Sequence, residues 1–466
     1  MNFAWSAVFA LAAAGSAWGN DDEKAPPRKP DEATLDLLER VRRLEERRQE
    51  APRPAAASPD GSPLEATWKD GLRFRSKDGA FEAHVGGRIV LHARTIFDRP
   101  DDDTAPLRSV PDSAFFREAY LEADATIYKE FGVKVQADFR TGTINQTTGA
   151  APSSIQGNLK DGYVSWKRWE EFNLRLGQFY EPISQEDQTS FRFVDFAERS
   201  VMNRLLTGRE TGLEFRGTID GGLLSYRLMF ANGNSLLNDQ GRGVVDREDE
   251  KQVAGRVMVR PLVHSGEPLL AGLELGLGGS IEDVDNLPIA AFDLTTTELS
   301  VLYLDSTGAG TFDGRRTRLV PQFSWALGPA LVRGEYLIRR DELDDTFADR
   351  DLESGGWYVY ATWLVTGEAK KPETRVAPSG DGGAVELALR IARIEVDNAL
   401  ENGFFAAGAG NAERVTSVTG GVNWWIRSSV RLTLNAVREE YGDALQFERR
   451  KEGFLWGLIG RAQIDF

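Results

Sequence analysis

The feature that most constrains this chain is a period of two that begins near Ala80 and runs to its last residue. In the first segment Phe81, Ala83, Val85, Ile89, Leu91, Ala93 and Phe97 stand at odd positions, with Glu82, His84, Arg88, His92 and Arg94 between them. Alternation of this kind gives a strand one apolar and one charged face. The run covers 81–97, far beyond the usual strand of about 5–6 residues. It recurs in Ala119, Leu121, Ala123, Ala125 and Ile127 against Glu118, Tyr120, Glu122 and Asp124, and in Phe131, Val133, Val135 and Ala137 against Lys134, Gln136 and Asp138. Further segments follow at 159–167, 172–180, 211–219, 223–231, 252–260, 269–281, 298–304, 316–326, 330–340, 356–366, 383–395, 415–425, 429–438 and 453–466. One such strand is ordinary. A succession of them is not.

Composition narrows the function classes. With no Cys among 466 residues there is no disulfide framework, thiolate zinc site or Cys nucleophile. Three His residues are too few for a multi-histidine centre, so no metal or cofactor is expected. A net charge of −16 argues against a nucleic-acid partner, which would need a basic footprint. A nucleophile elbow, P-loop or GxGxxG is missing, so an enzyme is not expected. A mean hydropathy of −0.37 with no uncharged run of 18 or more apolar residues argues against a helical membrane protein. It leaves open a membrane β-barrel, whose alternating strands average to a polar composition.

Two features separate a barrel from a soluble sandwich. Short connections (Lys129-Glu130, Asp220-Gly221-Gly222, Gly328-Pro329, Arg427-Ser428) alternate with long polar ones at 97–114, 140–158, 232–250 and 439–453. Outer-membrane barrels show this asymmetry, with short periplasmic turns and longer outer loops. The last strand also ends on Phe466, which reads as an assembly signal for the outer-membrane barrel machinery. Bacterial single-chain barrels have an even number of strands. Parity and the placement of short turns agree if 298–304 belongs to a long loop from Glu282 to Arg315. Sixteen antiparallel strands then remain, with both ends periplasmic, enough to enclose an aqueous channel.

Ahead of the barrel, Ala4 to Ala14 is apolar and Ala17 and Gly19 suit signal-peptidase cleavage, so residues 1–19 read as a signal peptide. Residues 20–66 read as a stalk: a short helix over Asp31 to Glu50, with a coiled-coil seam at Leu37, Val41 and Leu44, then a Pro/Ala/Ser linker from Ala51 to Ala66. The barrel domain is then 67–466.

Family motifs run through the barrel. They are Phe116-Arg117-Glu118-Ala119-Tyr120-Leu121-Glu122, Phe131 to Phe139, Leu176-Gly177-Gln178-Phe179, Phe196-Ala197-Glu198-Arg199-Ser200 and Gly208-Arg209-Glu210-Thr211-Gly212. Leu364 to Glu368, Gly421 to Trp425 and Gln463-Ile464-Asp465-Phe466 complete them. Together they resemble the phosphate-selective porin O and P family of Gram-negative outer membranes. The resemblance implies a homotrimer of barrels set in outer-membrane lipid, each passing small anions such as phosphate through a pore narrowed by an inward-folded third loop. That loop is expected at 181–210, a stretch rich in Phe and Arg.

Fixed cations in a narrow pore favour anions. The 56 cationic residues include 12 Lys, leaving 44 Arg, a residue that keeps its charge and grips oxyanions through paired N–H donors. Candidates from the loop are Arg192, Arg199 and Arg204. Those at lumen parity on the wall are Arg88, Arg94, Arg140, Arg175, Arg216, Arg227 and Arg256, with Lys134, and also Arg333 and Arg390. Lumen carboxylates are numerous too, so each Arg could instead be a structural partner, Arg199 of Asp195 or Glu198 for example. A general or cation-preferring porin on the same fold and a soluble secreted adhesin remain the alternatives.

Overall fold

The computed structural model describes residues 64–97, 112–139, 158–233, 251–288, 292–305, 311–343, 351–397, 411–446 and 451–466. The signal peptide expected at 1–19, the helix expected over 31–50 and Arg140 lie outside the described residues. In chain order the strands are β1 (Leu64–Trp68), β2 (Leu72–Ser76), β3 (Phe81–Phe97), β4 (Ser113–Ile127), β5 (Phe131–Asp138), β6 (Asn158–Lys167) and β7 (Asn173–Tyr180). They continue with β8 (Arg209–Ile219), β9 (Leu224–Ala231), β10 (Gln252–Val259), β11 (Leu273–Pro288), β12 (Leu294–Thr295), β13 (Leu302–Leu304) and β14 (Thr311–Leu327). The last are β15 (Ala330–Leu343), β16 (Leu352–Leu364), β17 (Ala384–Val396), β18 (Arg414–Arg427), β19 (Val430–Gln446) and β20 (Lys451–Asp465).

Sixteen of these, β3 to β11 and β14 to β20, pair antiparallel with their neighbours, and β20 returns to pair with β3. The sheet closes into a barrel, which removes its edges. The rung beyond β20 is made by the chain end: Gly87 N–H donates to the Phe466 carbonyl at 2.7 Å and Phe466 N–H to the Gly87 carbonyl at 3.0 Å. The Phe466 ring lies where a Cβ on Gly87 would stand, 2.6 Å from it. Outward side chains such as Leu121, Leu319, Ile338, Leu389 and Leu434 are each about half exposed, forming an apolar band around the wall. Such a band would be a liability in water and is the lipid-facing surface of a membrane barrel.

The segment 298–304 is not a wall strand. Short β12 and β13 pair with each other instead, and Phe292, Leu294, Leu299, Val301, Tyr303 and Leu304 are essentially unexposed. The flanking wall strands reach further than the alternation suggested, β11 to Pro288 and β14 from Thr311. One strand starts later than expected. Pro268 opens a helical turn (Pro268–Ala271), so β11 begins at Leu273 rather than at 269. The linker reading also needs correction, because Leu64 to Ala66 belong to β1. This strand pairs with β2, and β2 continues the sheet beside residues 82–85 of β3. A hairpin was missed there because Lys69-Asp70-Gly71 sits amid a charged stretch; Asp70 (φ 55°) and Gly71 (φ 115°) supply its turn.

Candidate ion pathway

Residues 181–208 join β7 to β8. Ser184 caps the short helix Gln185–Gln188 by accepting from Asp187 N–H. Tight helical turns at Phe191–Phe193 and Val201–Leu205 follow. No long regular element forms, and the backbone is instead satisfied by inward side chains of the wall. Arg390 donates to the carbonyls of Glu198 (3.0 Å) and Arg199 (3.3 Å), Arg431 to Val194 (2.9 Å), and Arg461 to Phe191 (2.8 Å) and Phe196 (3.2 Å). Asn423 donates to the Asp195 carbonyl (2.7 Å) and Asn435 accepts from Ala197 N–H (2.6 Å). Phe196 stands edge-on to Tyr360 and is buried with Val201, Met202 and Leu205. Polar wall residues thus replace the water that an open loop would use.

The expected site residues separate into two groups. Several serve packing. Arg199 is buried and donates to the carbonyls of Glu186, Asp187 and Thr189 and to the Tyr180 hydroxyl. It staples the loop to itself, and its carboxylate neighbour is Asp187 at 3.9 Å, not Asp195 or Glu198. Arg204 donates to the Thr296 carbonyl (3.2 Å), and Arg94 to Ser300 Oγ (2.6 Å) and the Glu298 carbonyl (3.3 Å). Both hold the buried segment 292–305. Arg192 pairs with Glu122 (2.8 Å) and Asp465 (3.4 Å). Glu198 takes a two-pronged bond from Arg117 (2.6 and 3.1 Å), with His92 at 3.4 Å. Burial works to raise its carboxyl, but Arg117 and His92 hold it down at about 2.

The other group converges on β3 to β10. A cavity of about 200 Å³ there is lined by Arg88, Lys134, Arg175, Arg209 and Arg227 against the carboxylates of Glu118 and Asp161, with Tyr120, Tyr163, Tyr180, Gln188 and Ser190. Arg88 pairs with Glu118 (2.5 Å) and Arg175 with Glu214 (2.9 Å), while Arg209 pairs with Asp161 (2.7 Å). Lys134 lies between Glu122 (3.7 Å) and Asp161 (3.8 Å). Arg227 donates to the Gln188 amide of the loop. Sequence reasoning missed Arg209 and Asp161. A bulge explains Asp161: Val135 pairs with Gly162 but Ala137 with Leu159, so strict alternation fails between them.

Arg216, Arg227 and Arg256 stand directly opposite one another across β8, β9 and β10. On the far side Asn173 links Arg216 to Lys167 in the same register. Like charges in direct cross-strand register oppose folding. Arg216 has Glu214 at 3.8 Å, and Arg256 donates to the Gln322 side-chain carbonyl at 3.5 Å.

A sequence model of the family described as phosphate-selective porin O and P matches residues 101–452. The chain belongs to that family. Its members are outer-membrane porins of Gram-negative bacteria, so this porin is a channel of that membrane. It is 23% identical over 411 residues to Porin O of Pseudomonas aeruginosa, covering 81% of this chain and 87% of that protein. Among solved structures it resembles a loop-L8 deletion form of OmpT, an outer membrane protein of Vibrio cholerae (TM-score 0.50, 10% identity, 83% of this chain and 100% of that one). It likewise resembles OprB of Pseudomonas putida (TM-score 0.50, 11% identity, 82% and 94% covered). Those two likenesses concern the fold alone.

The other side of the porin's lumen is filled. Residues 292–305 pack with the loop at 181–208 and with inward apolar residues such as Ile394, Val415 and Val437. Glu298 accepts from Ser417 (2.9 Å) and Thr419 (2.7 Å) and pairs with Arg390 (3.0 Å). At the short-turn end, the strap of residues 365–383 sends Lys370 to Asp195 and to Glu386 (2.6 Å).

Proposed function

We propose that this porin is an anion-preferring channel for phosphate and other small anions, whose pathway runs off-centre along β5 to β10. One observation carries the reading: Arg216, Arg227 and Arg256 are held in lateral register although their mutual repulsion costs stability. A net charge of −16 would make such a row easy to neutralise, yet Arg227 and Arg256 hold side-chain amides. The loop at 181–208 acts as the constriction. It is drawn to the opposite wall by Arg390, Arg431 and Arg461 and leaves its Gln188 edge facing the row. Where water is scarce, fixed charge is poorly screened and its effect on a passing ion grows. The short-turn end and both termini face the periplasm, Phe466 serves the barrel assembly machinery, and the porin works as a homotrimer.

The test is the reversal potential in a salt gradient across a planar bilayer. Wild type should reverse on the anion side, and Arg256→Gln should move it toward cations, more strongly in dilute salt than in concentrated salt. A cation-sided wild type would overturn the reading.

A further inference from the structure

Glu373 lies in the strap of residues 365–383, directly after Pro372, with φ at +56°. A charged residue in that left-handed region is uncommon and strained; Gly or Asn would adopt it at lower cost. Its carboxylate accepts from Nη2 of Arg333 at 3.0 Å and from Oγ1 of Thr189 at 3.2 Å. It therefore joins the strap to the wall and to the loop. The side chain is still 43% exposed. Burial works to raise this carboxyl, yet Arg333, Arg256 and Arg227 together hold it below its usual range. Two of those three belong to the in-register row. A residue needed only to close the hydrogen bond from Thr189 could be an amide, which accepts as well and carries no charge.

We propose that Glu373 is a specificity-determining residue of the channel: it ends the cationic row with a fixed negative charge at the short-turn end and makes anion conduction direction-dependent. The inference rests on the anion-channel reading above. A pore with positive charge along its wall and negative charge at one mouth fills with anions under one polarity and empties under the other. The asymmetry needs fields that reach beyond the carboxylate, so it belongs to dilute salt. The screening length is about 10 Å at roughly 0.1 M and about 3 Å at 1 M.

The experiment compares wild type with Glu373→Gln, each added from one side of a planar bilayer, and reads current at equal positive and negative voltage together with the reversal potential. Gln keeps the acceptor for Thr189 and removes the charge. Wild type should pass unequal currents in dilute salt. The variant should lose at least half of that excess and reverse further to the anion side. Equal currents in wild type would overturn the proposal, as would a variant as asymmetric as wild type. A variant that reverses toward cations would also overturn it, showing that Glu373 acts only by holding Arg333. Should Glu373→Gln fail to give the heat-modifiable barrel on a gel, Glu373→Asn suits the left-handed backbone and permits the same measurements. A cation-sided wild type sinks the parent reading and this inference with it, whereas an anion-sided wild type with unchanged asymmetry in the variant sinks the inference alone.

Discussion

Arginine does two opposite jobs in this barrel, and neighbours decide which. Arg390, Arg431 and Arg461 are almost wholly buried and spend their donors on loop carbonyls. Their charge is desolvated in the service of packing, so removing one leaves several buried acceptors bare, each costing about 1–3 kcal/mol. Arg199 belongs with them. Arg227 is the contrary case, a cation with a cation opposite it on each side. Replacing it with Gln should relieve repulsion while weakening the pathway. We therefore expect Arg227→Gln to raise the temperature at which the unboiled gel form is lost and to shift the reversal potential toward cations. A variant that is both less stable and unchanged in selectivity would show that the row is structural.

Among the connecting elements, the loop at 181–208 is held in part by an ion pair with a definite pH range. The Glu198 carboxyl is held at about 2 by Arg117 and His92, below the ordinary Glu value of about 4.3. A depressed acid adds stability above its unfolded value and loses it as pH falls toward the folded one. The contribution, on the order of 3 kcal/mol, should be intact at neutral pH and fade between about pH 4 and 2. Single-channel currents should grow noisier over that range, and Glu198→Gln should be noisy already at pH 7. Equal noise in both proteins at neutral pH would remove Glu198 from the loop's support. The segment at 292–305 has its own latch in Glu298, held by Ser417, Thr419 and Arg390. Glu298→Ala should free this segment and raise conductance in concentrated salt, where selectivity charges are screened. Unchanged conductance would mean that its apolar residues alone keep it seated.

For the molecule as a whole, closure depends on the chain end. Phe466 contributes two backbone bonds to Gly87 and lays its ring over that residue. Deleting Phe466, or substituting Gly87→Val so that a side chain occupies the ring's place, should each lower the fraction that migrates as the heat-modifiable barrel. Normal assembly of both would separate the terminus from closure.

Much of this was legible in the sequence for a local reason. The side-chain period of a strand is fixed by the backbone, so alternation marked all sixteen wall strands and most of their lumen faces, failing where the β6 bulge turns Asp161 inward. Parity then assigned 298–304 to a loop. What alternation cannot show is which inward charges meet each other, because that depends on register across strands distant in sequence. The row of Arg216, Arg227 and Arg256 exists only after β8, β9 and β10 are paired. Arg199 and Arg227 look alike in the sequence, but one is enclosed by carbonyls of its own loop and the other faces two guanidinium groups. The chain alone determined the wall; closing the barrel decided which of its cations face one another, because that depends on pairing between strands.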